Sequence, residues 1–296
     1  MKNNISTDKN PTLASWLLLL LLALVWGSSY ILIKRGLVAF QPQQLAGLRV
    51  TISALAFLPV LIWRFRQIDW SKWRYLAVVG FTGNFFPAFL FAYAQTELNS
   101  STTGVLSSLT PLFTLVIGVV FFNVVGKWTK ILGVMIGLAG AVFLILFGKK
   151  AGLDGNLAYG GLVILGTLMY SLSVNTTKYY LQDVDALLIS VASFAFISIP
   201  GAVYLFSTDF VSVLQEHEQA WSCLGYIALL ALFGTVAASV LFYQLVQMTS
   251  AIFASTVSYL IPAIALLWGA ADGEPITSLH LAGMTAILLG VYIASR

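Results

Sequence analysis

The sequence predicts an all-α integral membrane protein, with ten transmembrane helices arranged as two inverted five-helix repeats around a central cavity. Three observations carry this expectation. Of 296 residues, 59% are hydrophobic and only 9% charged, with a mean hydropathy of +0.92, whereas about a quarter of a soluble domain is charged. The charges separate charge-free windows, each long enough to cross a bilayer core about 30 Å thick, which takes about 20 helical residues. Short segments of the first half also recur in the second.

Residues 1–12 read as a polar cytoplasmic tail. Lys2 and Lys9 ahead of a Leu-rich run resemble a signal peptide. The run is longer than a signal core and leads directly into further apolar segments, which favours an uncleaved first helix. Windows from Asn10 to Ile33, Tyr75 to Thr96, Leu98 to Gly126, Ile131 to Gly148, Gly155 to Thr177 and Ala186 to Thr208 each hold one helix. Gln43 to Trp63 holds another despite Arg49. The stretch from Gln219 to Ala271 holds two, with a polar turn at Gln247-Met248-Thr249-Ser250, and Pro275 to Ser295 makes the tenth.

Basic residues set the orientation, because Lys and Arg concentrate in cytoplasmic loops. With Arg49 set aside as intramembrane, one side carries Lys2, Lys9, Arg64, Arg66, Lys72, Arg74, Lys127, Lys130, Lys178 and Arg296. The other carries only Lys34, Arg35, Lys149 and Lys150. Both termini are therefore expected inside, in a multi-pass protein of a bacterial-type inner membrane.

The duplication rests on three islands. Ser107-Ser108-Leu109-Thr110-Pro111 lies over Ser258-Tyr259-Leu260-Ile261-Pro262. Gly133 and Gly140 lie over Gly283 and Gly290, and Trp26 to Lys34 over Tyr170 to Lys178. The copies are assigned to residues 13–148 and 155–296. Five helices per copy is an odd number, so the second must run in the opposite sense, an arrangement typical of secondary transporters with a midplane site.

Several classes are disfavoured. The basic residues are scattered rather than gathered into a face, against nucleic acid as a partner. Cys223 is the single cysteine, and His217 and His280 stand far apart, so no metal site or other cofactor is expected. A membrane enzyme such as a lipid-modifying transferase is the rival of another class, but no paired acids, His or Cys constellation or phosphate loop points to it.

Trp26-Gly27-Ser28-Ser29-Tyr30, Pro42 with Leu48-Arg49, the Ser-rich approach to Pro111, and Pro262 with Gly273-Glu274-Pro275 resemble the EamA-type carriers of the drug/metabolite transporter superfamily. The resemblance runs from about Leu13 to the C-terminus. It implies a basket of helices whose cavity is lined chiefly by the first, third, fourth, sixth, eighth and ninth. Members export amino acids, other metabolites or toxic compounds. Many carry a Glu after the fourth helix as well as the ninth, where this chain has Asn123 opposite Glu274.

Polar groups inside apolar helices are the candidate site residues, because each needs a partner in hydrocarbon. For substrate contact these are Ser28, Asn84, Tyr93, Asn175, Tyr243 and Tyr259. Arg49 carries an architectural role, bonding helix-end carbonyls, or a substrate or gating one. Pro111 and Pro262 remove helix hydrogen bonds where the repeats could rock. All eleven Asp and Glu fall in the tail, connectors or helix ends, so no intramembrane carboxylate is evident for proton coupling. The expected function is export of a small organic metabolite, an amino acid or similar with hydrophobic or aromatic ones among the candidates, by alternating access; efflux of toxic compounds is the alternative. The expected partners are that solute and the lipid bilayer, in a monomer or weak homodimer.

Overall fold

A chain that faces hydrocarbon must close its backbone hydrogen bonds within each segment, and helices do this with local bonds alone. The computed structural model describes residues 11–98, 100–124, 128–148, 157–271, 282, 285–286, 289–290 and 292–293, and among them there is no strand. Most of the expected helix at Pro275 to Ser295, the tail before residue 11, Lys127, Lys149, Lys150, Asp272, Glu274, Gly283 and Arg296 lie outside the described residues.

The helices are α1 (Leu13–Gly36), α2 (Pro42–Arg64), α3 (Trp73–Gly80), α4 (Phe86–Ala94), α5 (Ser100–Ser107), α6 (Thr110–Phe122) and α7 (Trp128–Gly148) in the first half. The second half holds α8 (Leu157–Tyr180), α9 (Ala186–Phe206), α10 (Phe210–Glu216), α11 (Ala220–Ala231), α12 (Ala238–Met248), α13 (Ala251–Ser255) and α14 (Val257–Ala271). Five stretches are long and apolar enough to cross a membrane: Leu13–Gly36, Pro42–Gln67, Trp70–Ala94, Ala186–Phe206 and Ala220–Met248. Exposed leucines such as Leu13, Leu17 and Leu24 cover the outer face of α1.

Some windows read from sequence as single helices are interrupted. α3 joins α4 through a π-type turn at Phe81–Phe85, and α11 joins α12 through another at Leu232–Ala237. The fourth window breaks between α5 and α6, where Thr110 Oγ1 donates to Ser107 O at 2.6 Å and Pro111 has no N–H to give. The ninth breaks at Thr256, between α13 and α14. The connector between α9 and α11, which carries Asp209, Glu216 and Glu218, contains the short helix α10, and the polar turn expected at residues 247–250 separates α12 from α13. Asn123 closes α6 with φ 52°, a left-handed position that asparagine tolerates better than most residues.

Packing between helices is two-fold in pattern. α1 packs on α11, α12 and α14, while α8, its counterpart in the second half, packs on α3, α4 and α6. α2 and α9 lie against each other at the centre and continue onto α11 and α3 respectively. Glycine makes the central pair close: a Cβ on Gly201 would meet Val50 Cγ1 at 2.6 Å, and one on Gly47 would meet Leu205 Cβ at 3.1 Å. Phe57 and Phe194 add a ring contact at 5.1 Å.

Gly80 sits where α3 crosses α9, and a Cβ there would collide with the Ser193 carbonyl oxygen, which is backbone and cannot yield. Gly80→Ala should therefore cost about 1–3 kcal/mol, as overpacking does, and lower the thermal midpoint of the detergent-purified protein. Gly161→Ala, with open space around the added methyl, should leave that midpoint unchanged.

Candidate functional site

A cavity with about 870 Å³ of empty space, mouth included, lies where α1, α12, α13 and α14 face α4, α5 and α8, with Arg49 of α2 reaching in. Its walls repeat. On one side Trp26 and Phe242 stand with ring centroids 5.0 Å apart; on the other Tyr170 and Phe91 stand 5.7 Å apart. Trp26 corresponds to Tyr170 at a spacing of 144 residues and Phe91 to Phe242 at 151. Beside them a Cβ on Gly234 would meet Ser29 Oγ at 2.8 Å, and one on Gly83 would collide with Ser173 Oγ. Both glycines belong to the π-type turns, so each turn lets backbone approach a serine of the opposite half.

The residues of those turns make polar contacts across the halves. The Trp26 indole Nε1 donates to Gly234 O at 3.0 Å. Asn84 Nδ2 donates to the Tyr243 hydroxyl at 3.2 Å. Arg49 Nε donates to Thr235 Oγ1 at 2.8 Å, and that hydroxyl donates on to Leu230 O at 3.3 Å. Among the described residues no carboxylate lines the cavity and no His, Cys, Asp and Glu gather as a metal site.

Of the residues singled out from sequence, the fold brings Asn84, Tyr243 and Arg49 into the cavity wall. The others lie elsewhere. Ser28 is half-buried beside Ser29, and it is Ser29 that lines the space. Tyr93 is exposed near the end of α4, its hydroxyl donating to Gln43 Oε1 at 3.2 Å. Asn175 is buried, with Nδ2 donating to Thr114 O and Ser171 O at 3.0 and 2.9 Å, so it ties α8 to α6. Tyr259 is fully buried, and its hydroxyl donates to Val134 O at 2.9 Å. Pro111 and Pro262 flank the two helix breaks, where Ser108 Oγ donates to Ser258 O at 3.3 Å.

Sequence reasoning missed Tyr170, Ser173 and Phe242 as lining residues. Their signal was the repeat itself: transferring the positions of Trp26 and Ser29 onto the second half points to Tyr170 and Ser173.

The two ends of the cavity differ. At the end bearing the 181–185 and 249–250 connectors, α8 and α12 are latched together. Lys178 Nζ, buried rather than in a loop, donates to Thr249 O and Val246 O. Gln247 Nε2 donates to Val184 O at 2.7 Å and Leu181 O at 3.0 Å, and Gln182 Nε2 to Gln247 O at 2.8 Å. At the same end Lys72 pairs with Asp183 and holds that exposed carboxyl below its usual range.

At the opposite end the counterpart latch is unmade. Lys34, 144 residues before Lys178, is exposed and makes no hydrogen bond among the described residues. The Gln95 side-chain amide, at the matching end of α4, is buried with neither polar atom partnered. α12 packs on α8, whereas α4 and α1 lack a comparable contact.

Comparison with known proteins gives a consistent picture. A profile of the EamA-like transporter family matches residues 13–146 and again residues 159–296. The chain is similar to a protein described as an uncharacterized transporter of Archaeoglobus fulgidus, 26% identical over 95% of this chain and 98% of that one. It is also similar to the uncharacterized inner membrane transporter YedA of Escherichia coli, 23% identical over 93% of this chain and 88% of that one. The uncharacterized transporter YoaV of Bacillus subtilis is likewise 23% identical, over 91% and 92%. A crystal structure with 16% identity shares the fold at a TM-score of 0.69, covering 95% of this chain and 96% of that one.

The hydrogen bonds of Tyr259 and Asn175 join helices away from the cavity, so their loss should appear in stability. Tyr259→Phe and Asn175→Ala are each expected to lower stability by about 1 kcal/mol, measured as a reduced thermal midpoint. Ser29→Ala, on the cavity wall, should lower it less than either.

Proposed function

The chain belongs to the EamA-like transporter family and is a membrane transporter, and from that premise we propose that it exports a small organic metabolite across the inner membrane by alternating access. The carrying observation is the cavity between two repeated sets of helices, latched at one end and unlatched at the other. A carrier needs a site that opens to one side at a time, and two inverted copies supply two equivalent gates of which one is made in each state. The family matches over residues 13–146 and 159–296 support two such copies.

In this reading Trp26, Phe242, Tyr170 and Phe91 grip an apolar or aromatic body, while Asn84, Tyr243 and Arg49 orient its polar end. Exchange of the latches moves the cavity mouth: Lys178 and Gln247 release α8 from α12 as Lys34 and Gln95 draw α1 toward α4. The breaks beside Pro111 and Pro262 are the hinges. The latched end carries Arg64, Arg66, Lys72, Arg74 and Lys130, so by the basic-loop rule it is cytoplasmic, with both termini inside. The cavity then faces outward in this state.

The function is tested by metabolite profiling of medium from cells producing the wild type, Asn84→Ala or Tyr243→Phe at matched membrane abundance. One or a few small organic solutes should accumulate outside with the wild type, and each variant should reduce that export about three- to tenfold, the effect of one hydrogen bond. Leu17→Ala, on the exposed face of α1, should export normally. An unchanged medium on overproduction would remove export as the function.

Sidedness is tested separately by thiol labelling. Cys223 is buried, its Sγ donating to Arg35 O at 3.2 Å, so it reports poorly and should first be replaced by Ser. In that background Glu218→Cys should react with an impermeant reagent added outside spheroplasts, and Asp69→Cys only after lysis. The reverse pattern would place the termini outside.

A further inference from the structure

Resting on the carrier reading, we propose that the cargo is an organic monoanion, an aromatic or apolar body bearing one carboxylate, held by Arg49 and driven outward by the membrane potential. Arg49 contributes a full positive charge to the cavity wall, and no carboxylate lines the cavity among the described residues. Described acidic residues, such as Glu97, Asp183 and Asp209, sit in connectors away from it, and the ion pair there joins Lys72 to Asp183 at one end of the bundle. An uncompensated cation in a largely apolar cavity is costly, and a bound monoanion offsets that cost. A zwitterion would bring an ammonium group that finds no carboxylate and is repelled by the guanidinium.

Geometry agrees with charge. Arg49 directs only Nε to the protein, at Thr235 Oγ1, and its two terminal nitrogens make no hydrogen bond among the described residues. That leaves the planar pair of donors which matches a carboxylate in bidentate fashion. Thr235 Oγ1 is itself directed by its bond to Leu230 O, so the guanidinium is anchored before cargo arrives. The paired rings, Trp26 with Phe242 and Tyr170 with Phe91, provide flat apolar surface for the rest of the molecule.

Charge also supplies the driving force. A monoanion leaving a cell that is negative inside moves downhill, and each 100 mV sustains about a fiftyfold concentration ratio. Proton coupling is then unnecessary, in keeping with a cavity that has no carboxylate among its described lining.

The test compares three probes of one carbon skeleton on the purified protein in lipid nanodiscs: phenylpyruvate (anion), phenylalanine (zwitterion) and phenethylamine (cation). Calorimetry should show phenylpyruvate binding at least about tenfold more tightly than either relative, the effect expected of a charge-assisted pair. Arg49→Gln should remove that preference and Arg49→Lys restore part of it. Should Arg49→Gln not assemble, Thr235→Val, which frees the guanidinium from its anchor, should weaken phenylpyruvate binding alone. In proteoliposomes, phenylpyruvate efflux should rise with a potassium diffusion potential negative inside. Equal or tighter binding of phenylalanine, absence of phenylpyruvate binding, or flux indifferent to potential would overturn the proposal. If phenylalanine binds and moves while Arg49→Gln has no effect, only the cargo inference fails. If no probe binds and overproduction leaves the medium unchanged, the carrier reading fails with it.

Discussion

Hydrogen-bond closure of the backbone, in a setting where water cannot substitute, is the constraint on which the rest of this structure depends. It forces the chain into helices and makes every interruption conspicuous. The π-type turns at Phe81–Phe85 and Leu232–Ala237 and the breaks before Thr110 and Val257 occur where a second element can use the freed groups. The Trp26 indole takes Gly234 O, Ser108 takes Ser258 O, and Thr110 bonds back to Ser107. Irregular backbone is tolerated in membranes when it is buried in protein or lines a cavity, and here several interruptions frame the same space. Site and fold thus have one physical cause.

The duplication multiplies this cause. Residues 144 or 151 positions apart perform matching tasks: Trp26 and Tyr170 as ring walls, Ser29 and Ser173 against the close-approach glycines, Phe91 and Phe242 as ring partners. The polar groups of the two halves do not match. Where one half has Asn84 in its π-type turn the other has Thr235, and Arg49 bonds only the second. The latch residues differ in a second way, since Lys178 is engaged while Lys34 makes no hydrogen bond among the described residues.

Much of the fold was legible in the sequence because charge-free length is a direct consequence of bilayer thickness. Gln219 to Ala271 was read as two helices with the turn at residues 247–250, where α12 and α13 separate. The helix interruptions were not legible, since prolines mark only some of them and the turn at Leu232–Ala237 contains none. The site was legible in part. Asn84, Tyr243 and Arg49 reach the cavity, but Asn175 and Tyr259 have the same polar-on-apolar pattern and serve helix packing instead. Sequence position along a helix does not say which way a residue faces when every face is apolar. Lys178 was misplaced for a related reason: a lysine at a helix end reads as a loop charge, although its stem can pass through apolar surroundings and its ammonium can cap a neighbouring helix.

Opening of the two ends in alternation around one site can be measured as distances between pairs of spin labels in nanodiscs, one pair at Val38 and Glu97 and the other at Trp73 and Met248, all exposed positions. Alternation gives two populations at each pair, with the longer distance at one end occurring with the shorter at the other. Lys178→Met, which removes the latch between α8 and α12, should shift both pairs together, lengthening the second and shortening the first. Single distances unaffected by that substitution, or both pairs lengthening together, would contradict it.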